Sequence, residues 1–151
     1  FSPDKESGVT VRPSVRYAGL SFNIDKSMAP AVTIPNVDYK YIEPGVAVDV
    51  PITPSLSLTA SGRFYVVLST GEIQLMEQYG AAAVSGFDAG LGASFKPRPR
   101  IVIKASARFS LITHTFNGSG TLTDRDSNGE KDVGSATDSF LGLLATIGYL
   151  Y

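Results

Sequence analysis

A strict period of two over residues 84–116 limits what this chain can fold into more than any other stretch does. Ile101, Ile103, Ala105, Ala107, Phe109 and Leu111 share one parity, while Lys104, Ser106, Arg108, Ser110 and His114 share the other. Successive side chains on a strand point to opposite faces, so the pattern describes a strand with one apolar and one polar side. A helix, with its period of about 3.6, does not produce it. Upstream, Phe87, Ala89, Leu91, Ala93 and Phe95 alternate in the same way with Gly86, Asp88, Gly90, Gly92, Ser94 and Lys96. Pro97-Arg98-Pro99-Arg100 joins the two arms, and its prolines cannot donate to a ladder, so the chain reverses there.

The rest of the chain extends the pattern. Val9, Val11, Val15 and Tyr17 oppose Thr10, Arg12, Ser14 and Arg16, after which the apolar side changes phase, with Leu20, Phe22 and Ile24 carrying it. A bulge at Gly19 accounts for the flip, because one inserted residue reverses the facing of everything after it. A second strand over 38–52 sets Ile42, Val46, Val48, Val50 and Ile52 against Tyr39, Tyr41, Glu43, Gly45, Ala47 and Asp49. A third over 56–68 follows the turn Thr53-Pro54-Ser55, and a sixth runs from Asp138 to Tyr151. Residues 1–8 read as a flexible tail, and residues 9–151 as one unit of strands with long loops near 26–37, 69–83 and 117–137. The long connections fall at one end and the short ones at the other. A helical turn is expected within the second long loop, around Ile73 to Gln78. The fold class expected is all-β, an antiparallel up-and-down transmembrane β-barrel with about six strands visible, whose lengths of roughly 13 to 16 residues exceed the globular mode of about five or six.

Composition removes several function classes. The balance of 13 basic and 14 acidic residues provides no field for nucleic acid, and no basic patch with interleaved aromatics occurs. The absence of cysteine excludes disulfide frameworks, thiolate metal sites and cysteine nucleophiles. No run approaches the roughly 20 apolar residues of a spanning helix, so a membrane protein of this sequence is built from strands. No signal-peptide pattern opens the chain, as expected of a mature form or a fragment.

Alternation alone does not say which face is inside. The polar parity combines Gly45, Ala47, Gly86, Gly90, Gly92, Gly142 and Gly148 with Arg12, Arg16, Asp49, Arg63, Asp88, Lys104 and Arg108. Small residues interleaved with both signs of charge suit a crowded lumen better than a solvated face, where glycine weakens the strand. The polar face is therefore assigned to the interior, and the apolar one to lipid. The alternative is a soluble lipocalin-like barrel or sandwich with the apolar face as its core. Charges enclosed in a lumen must pair, so Asp49 and Asp88 are expected to meet Arg63, Lys104 and Arg108. Such a network plugs and stiffens a small barrel; the competing reading is that its basic excess selects anions in a pore.

The last strand, Phe140-Leu-Gly-Leu-Leu-Ala-Thr-Ile-Gly-Tyr-Leu-Tyr151, resembles the C-terminal strand of Gram-negative outer-membrane β-barrel proteins. Leu141, Leu143, Ala145, Ile147, Tyr149 and Tyr151 give the family's alternation and aromatic end, with Thr146 where glycine is frequent in the signal. The stretch from Tyr79-Gly80 to Gly92 is similar to strands of such barrels. The resemblance implies recognition of Leu141, Leu143, Ile147, Tyr149 and Tyr151 by the barrel-assembly machinery, insertion into the cell outer membrane, and outer-membrane lipid as the surrounding partner. Residues 1–8 would then be periplasmic, and the long loops extracellular. Bacterial barrels of one chain start at about eight strands, and an open sheet leaves unpaired edges in lipid. Further strands are thus expected, from an N-terminal part, from a hidden pair or from other subunits, in a barrel of eight or more; the first source is preferred.

One loop carries a ligand pattern. Asp124, Asp126 and Asn128 place oxygens at positions one, three and five, Gly129 stands at six, Glu130 offers its carbonyl at seven, and Asp132 stands at nine. That is the spacing of calcium loops, although Ser135 occupies the twelfth position, where a bidentate glutamate belongs. Calcium is the one cofactor considered, against an acidic loop that uses Asp and Asn only for turns; no cofactor is required. His114, the only histidine, has no nucleophile or acid at a recognisable spacing and is read as structural, so no enzyme activity is expected. Tyr39, Tyr41, Tyr65, Tyr149 and Tyr151 fit either interfacial girdles or lumen fillers. The expected role is a structural anchor or a component of an envelope assembly. A narrow passive pore is the second reading, and a soluble calcium-binding β-domain the third.

Overall fold

In the computed structural model, which describes residues 8–25, 27 and 35–149, alternating stretches become six strands. They are β1 (Thr10–Phe22), β2 (Val37–Thr53), β3 (Leu56–Ser69), β4 (Ala82–Arg98), β5 (Ile101–Phe116) and β6 (Ser135–Tyr149). Each pairs antiparallel with its neighbour in sequence, giving one sheet of order β1-β2-β3-β4-β5-β6. The sheet is not closed: β1 and β6 are its edges. The up-and-down all-β architecture read from the sequence is what forms, while a closed barrel does not form from these strands alone.

Two tight turns join β2 to β3 and β4 to β5. In the first, Thr53 Oγ1 accepts hydrogen bonds from the backbone N–H of Leu56 (3.0 Å) and Ser55 (3.3 Å), which closes the reversal around Pro54. In the second, the ladder skips from Phe95↔Ile103 to Arg98↔Ile101, the irregularity expected where Pro97 and Pro99 withhold donors.

The long loops lie at the opposite end and are tied to each other. The β3–β4 connection begins with a 3-10 turn, Gly71–Gln74, slightly earlier than the sequence suggested. Its later part exchanges backbone hydrogen bonds with the β5–β6 loop, from Thr121 N to Met76 O (3.0 Å) and from Leu122 N to Gln78 O (2.8 Å). Thr123 Oγ1 adds a bond to Tyr79 O at 2.7 Å. Gly120 permits this approach, since a Cβ there would lie 2.4 Å from Gln78 O. The two loops thus form a cap with its own ladder. The first long loop falls mostly outside the described residues, as does the tail over 1–7.

One local expectation fails. β1 runs against β2 from Thr10↔Asp49 to Phe22↔Val37 in unbroken register, so there is no bulge at Gly19. Leu20 keeps the parity of Arg12 and Arg16 and turns with Ala18 to the concave side, packing on a buried tyrosine cluster. An apolar residue at a polar-parity position signals an apolar layer inside, not a phase change.

The distribution of apolar side chains is inverted relative to a water-soluble domain. Among the described residues the buried apolar ones are Tyr39, Tyr41, Tyr65, Ile73, Val102, Ile112 and Phe116, while β1 to β6 expose their apolar parity on the convex side. Val15, Leu91, Leu141, Leu143 and Ile147 are between 70% and 81% exposed.

Candidate functional site

The concave face is layered along the strands. Nearest the loops lies an apolar and aromatic layer made of Tyr39, Tyr41, Tyr65 and Ile112, with Ala18, Leu20, Val37, Val67 and Val84 packed against it. The rings of Tyr41 and Tyr65 stack with centroids 4.6 Å apart. Gly86 makes room, because a Cβ there would sit 2.7 Å from the Tyr65 ring. The tyrosines that the sequence left between girdle and interior are thus interior on β2 and β3. Tyr39 on β2 donates its hydroxyl hydrogen bond to Asp138 on β6, and the same oxygen lies 3.4 Å from His114 Nε2 on β5. These partners are not neighbours in the sheet, so the contacts cross the concavity. His114 is fully buried, and its ring stacks on Phe116, which stacks in turn on Tyr79 of the cap. Its Nδ1 has no hydrogen-bond partner among the described residues.

The middle layer is ionic. Asp88 on β4 accepts from Arg63 Nη1 at 2.6 Å, from Ser110 Oγ at 2.8 Å and from Arg108 Nε. Glu43 on β2 accepts from Arg16 Nη2 at 2.5 Å and lies 3.6 Å from Arg108 Nη2 and 3.9 Å from Arg63 Nε. The register explains the first set: Arg63 stands opposite Asp88 on β3, and Ser110 stands opposite it on β5. The Glu43–Arg108 contact spans the concavity from β2 to β5. Both carboxylates are buried, and three arginines surround them, which compensates charges that would otherwise be too costly to enclose. Arg108 Nη2 also reaches the Tyr65 hydroxyl at 3.3 Å and joins this layer to the aromatic one.

The turn end is open. A cavity of about 690 Å³ is lined there by Ser57, Thr59, Ser61, Ser106 and Thr146 among others, with Arg12, Lys96 and Lys104 at its walls. Asp49 does not meet the arginines of β3 and β5: it pairs with Arg12 at 2.6 Å and accepts from Thr59 Oγ1 at 2.6 Å. Lys104, expected to pair, makes no ion pair among the described residues. Its register partners are Ser94 and Thr146, which bring no carboxylate beside it.

Of the residues singled out in the sequence, Arg16, Arg63, Asp88 and Arg108 come together; Arg12 and Asp49 form a separate pair, and Lys104 stands apart. Glu43 and Asp138 are not singled out by the sequence, and Tyr39 is singled out only as a girdle or interior tyrosine. Glu43 had a legible signal, being the only acid of the polar parity between Tyr41 and Gly45, whereas the Tyr39–Asp138 contact depends on curvature that periodicity does not encode.

In the β5–β6 loop, carboxylate oxygens of Asp124, Asp126 and Asp132 lie within 4.8 Å of one another. Asp124 accepts from the backbone N–H of Asn128 (3.2 Å) and Gly129 (2.9 Å), and Asp132 accepts from Arg125 N (2.7 Å). Positive φ at Ser127 and Gly129 makes the tight wrap. The Asn128 side chain is committed within the loop, donating to Asp126 (2.9 Å) and accepting from Glu130 N (2.7 Å); the Glu130 carboxylate is not part of the cluster. On β6, Leu141, Leu143, Ile147 and Tyr149 share the convex face and are exposed, while Tyr151 lies outside the described residues.

No protein-family model matches the chain, and neither a curated protein nor a solved structure matches it.

Proposed function

We propose that this sheet is the strand wall of an outer-membrane β-barrel of eight or more strands that serves as a structural anchor in the envelope, its interior plugged by side chains. The observation that carries the reading is the inversion of the sheet: a convex face of exposed Val, Leu, Ile and Phe backs a concave face holding buried Asp88, Glu43 and His114. Soluble monomers rarely expose apolar patches larger than a few hundred Å², and each large apolar side chain left in water forgoes about 1.5–3 kcal/mol. Lipid removes that cost. The two unpaired edges point the same way, because a sheet in a bilayer must be completed by further strands. These come from a preceding part of the chain or from other subunits, and β6 is the segment offered to the assembly machinery.

The plug is favoured over a passive pore by the contacts from Glu43 to Arg108 and from Tyr39 to Asp138, which fill the concavity from β2 to β5 and β6. The test has two arms. The chain should stay folded and monodisperse in detergent and precipitate or aggregate in plain buffer; a folded monomer in plain buffer would overturn the membrane reading. Reconstituted in a planar bilayer it should give no unitary conductance, and steady discrete channels would replace the anchor by the pore.

Within the same reading the acidic loop is proposed to take calcium on Asp124, Asp126, Asp132 and the Glu130 carbonyl, as a stiffener of the exposed cap. Trypsin cleavage at Arg125 and Lys131 should slow several-fold on adding millimolar calcium, and Asp124→Asn with Asp126→Asn should abolish the protection. Cleavage that ignores calcium leaves the carboxylates as turn-forming groups alone.

A further inference from the structure

We infer that the cavity at the turn end is a blind vestibule for a small soluble oxyanion of the phosphate type. Its floor is the ionic layer, where Arg63 and Arg108 are already engaged by Asp88 and Glu43. Its walls hold two further cations, Lys96 and Lys104, that have no carboxylate partner among the described residues, and Arg12, whose charge is matched by Asp49. Among the described residues the acid lining the cavity is thus matched in charge, and the uncompensated charge is positive. Between the cations stand the hydroxyls of Ser57, Ser61, Ser106 and Thr146, which can donate to anion oxygens. Among the described residues no aromatic side chain lines the space, so stacking of a ring is not what they offer.

The volume of about 690 Å³ falls within the roughly 300–1,000 Å³ of small-molecule sites and leaves room for a solvated phosphate or a solute carrying one. Lys104 is central: Ser94 and Thr146 flank it in register, and Ser106 follows on the same face. An ammonium with three donors and no acid beside it is suited to a phosphate held as a point charge. The plug behind the cavity makes it a place of binding and not of passage, which is the part of this inference that rests on the anchor reading. Binding itself does not depend on that reading, so the assay below can fail without touching it.

The test is calorimetric titration of inorganic phosphate and pyrophosphate into the full chain folded in maltoside micelles at low ionic strength. Saturable binding is expected, tighter for pyrophosphate, and weakened at least tenfold by Lys104→Gln. Lys96→Gln should weaken it less, and Glu77→Gln, on an exposed residue of the loop end, should leave it unchanged. Circular dichroism of each variant confirms that the sheet is retained. Absence of saturable binding by the unmodified chain, or binding indifferent to both lysine variants, overturns the assignment. Saturation by phosphatidylglycerol in the micelle with none by free phosphate would overturn the soluble ligand in favour of a lipid headgroup.

Discussion

Asp88 is the most heavily committed side chain of the concave face, with both oxygens engaged and its residue only 1% exposed. Asp88→Ala removes the anion between two arginines and leaves Arg63 and Arg108 dependent on Glu43 alone. Breaking a buried pair from one side costs about 3–5 kcal/mol, and the lower end applies because Arg108 is partly exposed. A urea unfolding midpoint measured in detergent should fall accordingly, with Asp88→Asn falling less because hydrogen bonds to the amide oxygen survive. An unchanged midpoint for the alanine variant would show that the cluster is not enclosed. Gly86 makes a second residue-scale prediction. A methyl there must displace the Tyr65 ring or the Leu111 carbonyl, both 2.7 Å from the position it would take. Overpacking of this sort costs about 1–3 kcal/mol, so Gly86→Ala should lower the same midpoint, and a companion Tyr65→Leu should recover part of the loss.

At the scale of elements, the two long loops behave as one cap. Gly120→Val would push the β5–β6 loop off Gln78 and Tyr79. Hydrogen exchange should then accelerate at 76–81 and 118–123 together while the centres of β4 and β5 stay protected; acceleration in one loop alone would contradict their coupling. That coupling was not legible in the sequence, where 117–137 reads only as a polar connection, because loop-to-loop ladders leave no periodic trace. The strands were legible, since each has a pleat whose faces meet different surroundings, and the hairpin β4–β5 was placed within two residues of its observed bounds. The phase change in β1 misleads for a related reason: Leu20 lies on the inner face opposite tyrosines, so the inner face is apolar near the loops and polar in the ionic layer and at the turn end. Charge partners were legible only where register brings opposite signs together, as for Arg63 and Asp88, and not where curvature does, as for Glu43 and Arg108.

For the whole molecule, the sheet curls enough that Thr10 and Arg12 of β1 line the same cavity as Leu144 and Thr146 of β6, yet its edges have no strand partner among the described residues. Curvature, an apolar outer face and a filled inner face are mutually consistent in a barrel wall. In water the outer face would need a second layer of structure over it. The absence of cysteine from the chain permits single labelling sites without background. The most direct test is therefore a nitroxide scan of single cysteines from 87 to 95 along β4 in lipid vesicles, reading relaxation by oxygen against relaxation by a water-soluble nickel chelate. The account predicts a period of two, with oxygen dominant at 87, 89, 91, 93 and 95 and low accessibility to oxygen at 88, 90, 92 and 94. The same period with the nickel chelate dominant at 87, 89, 91, 93 and 95 would place the convex face in water and contradict the membrane wall.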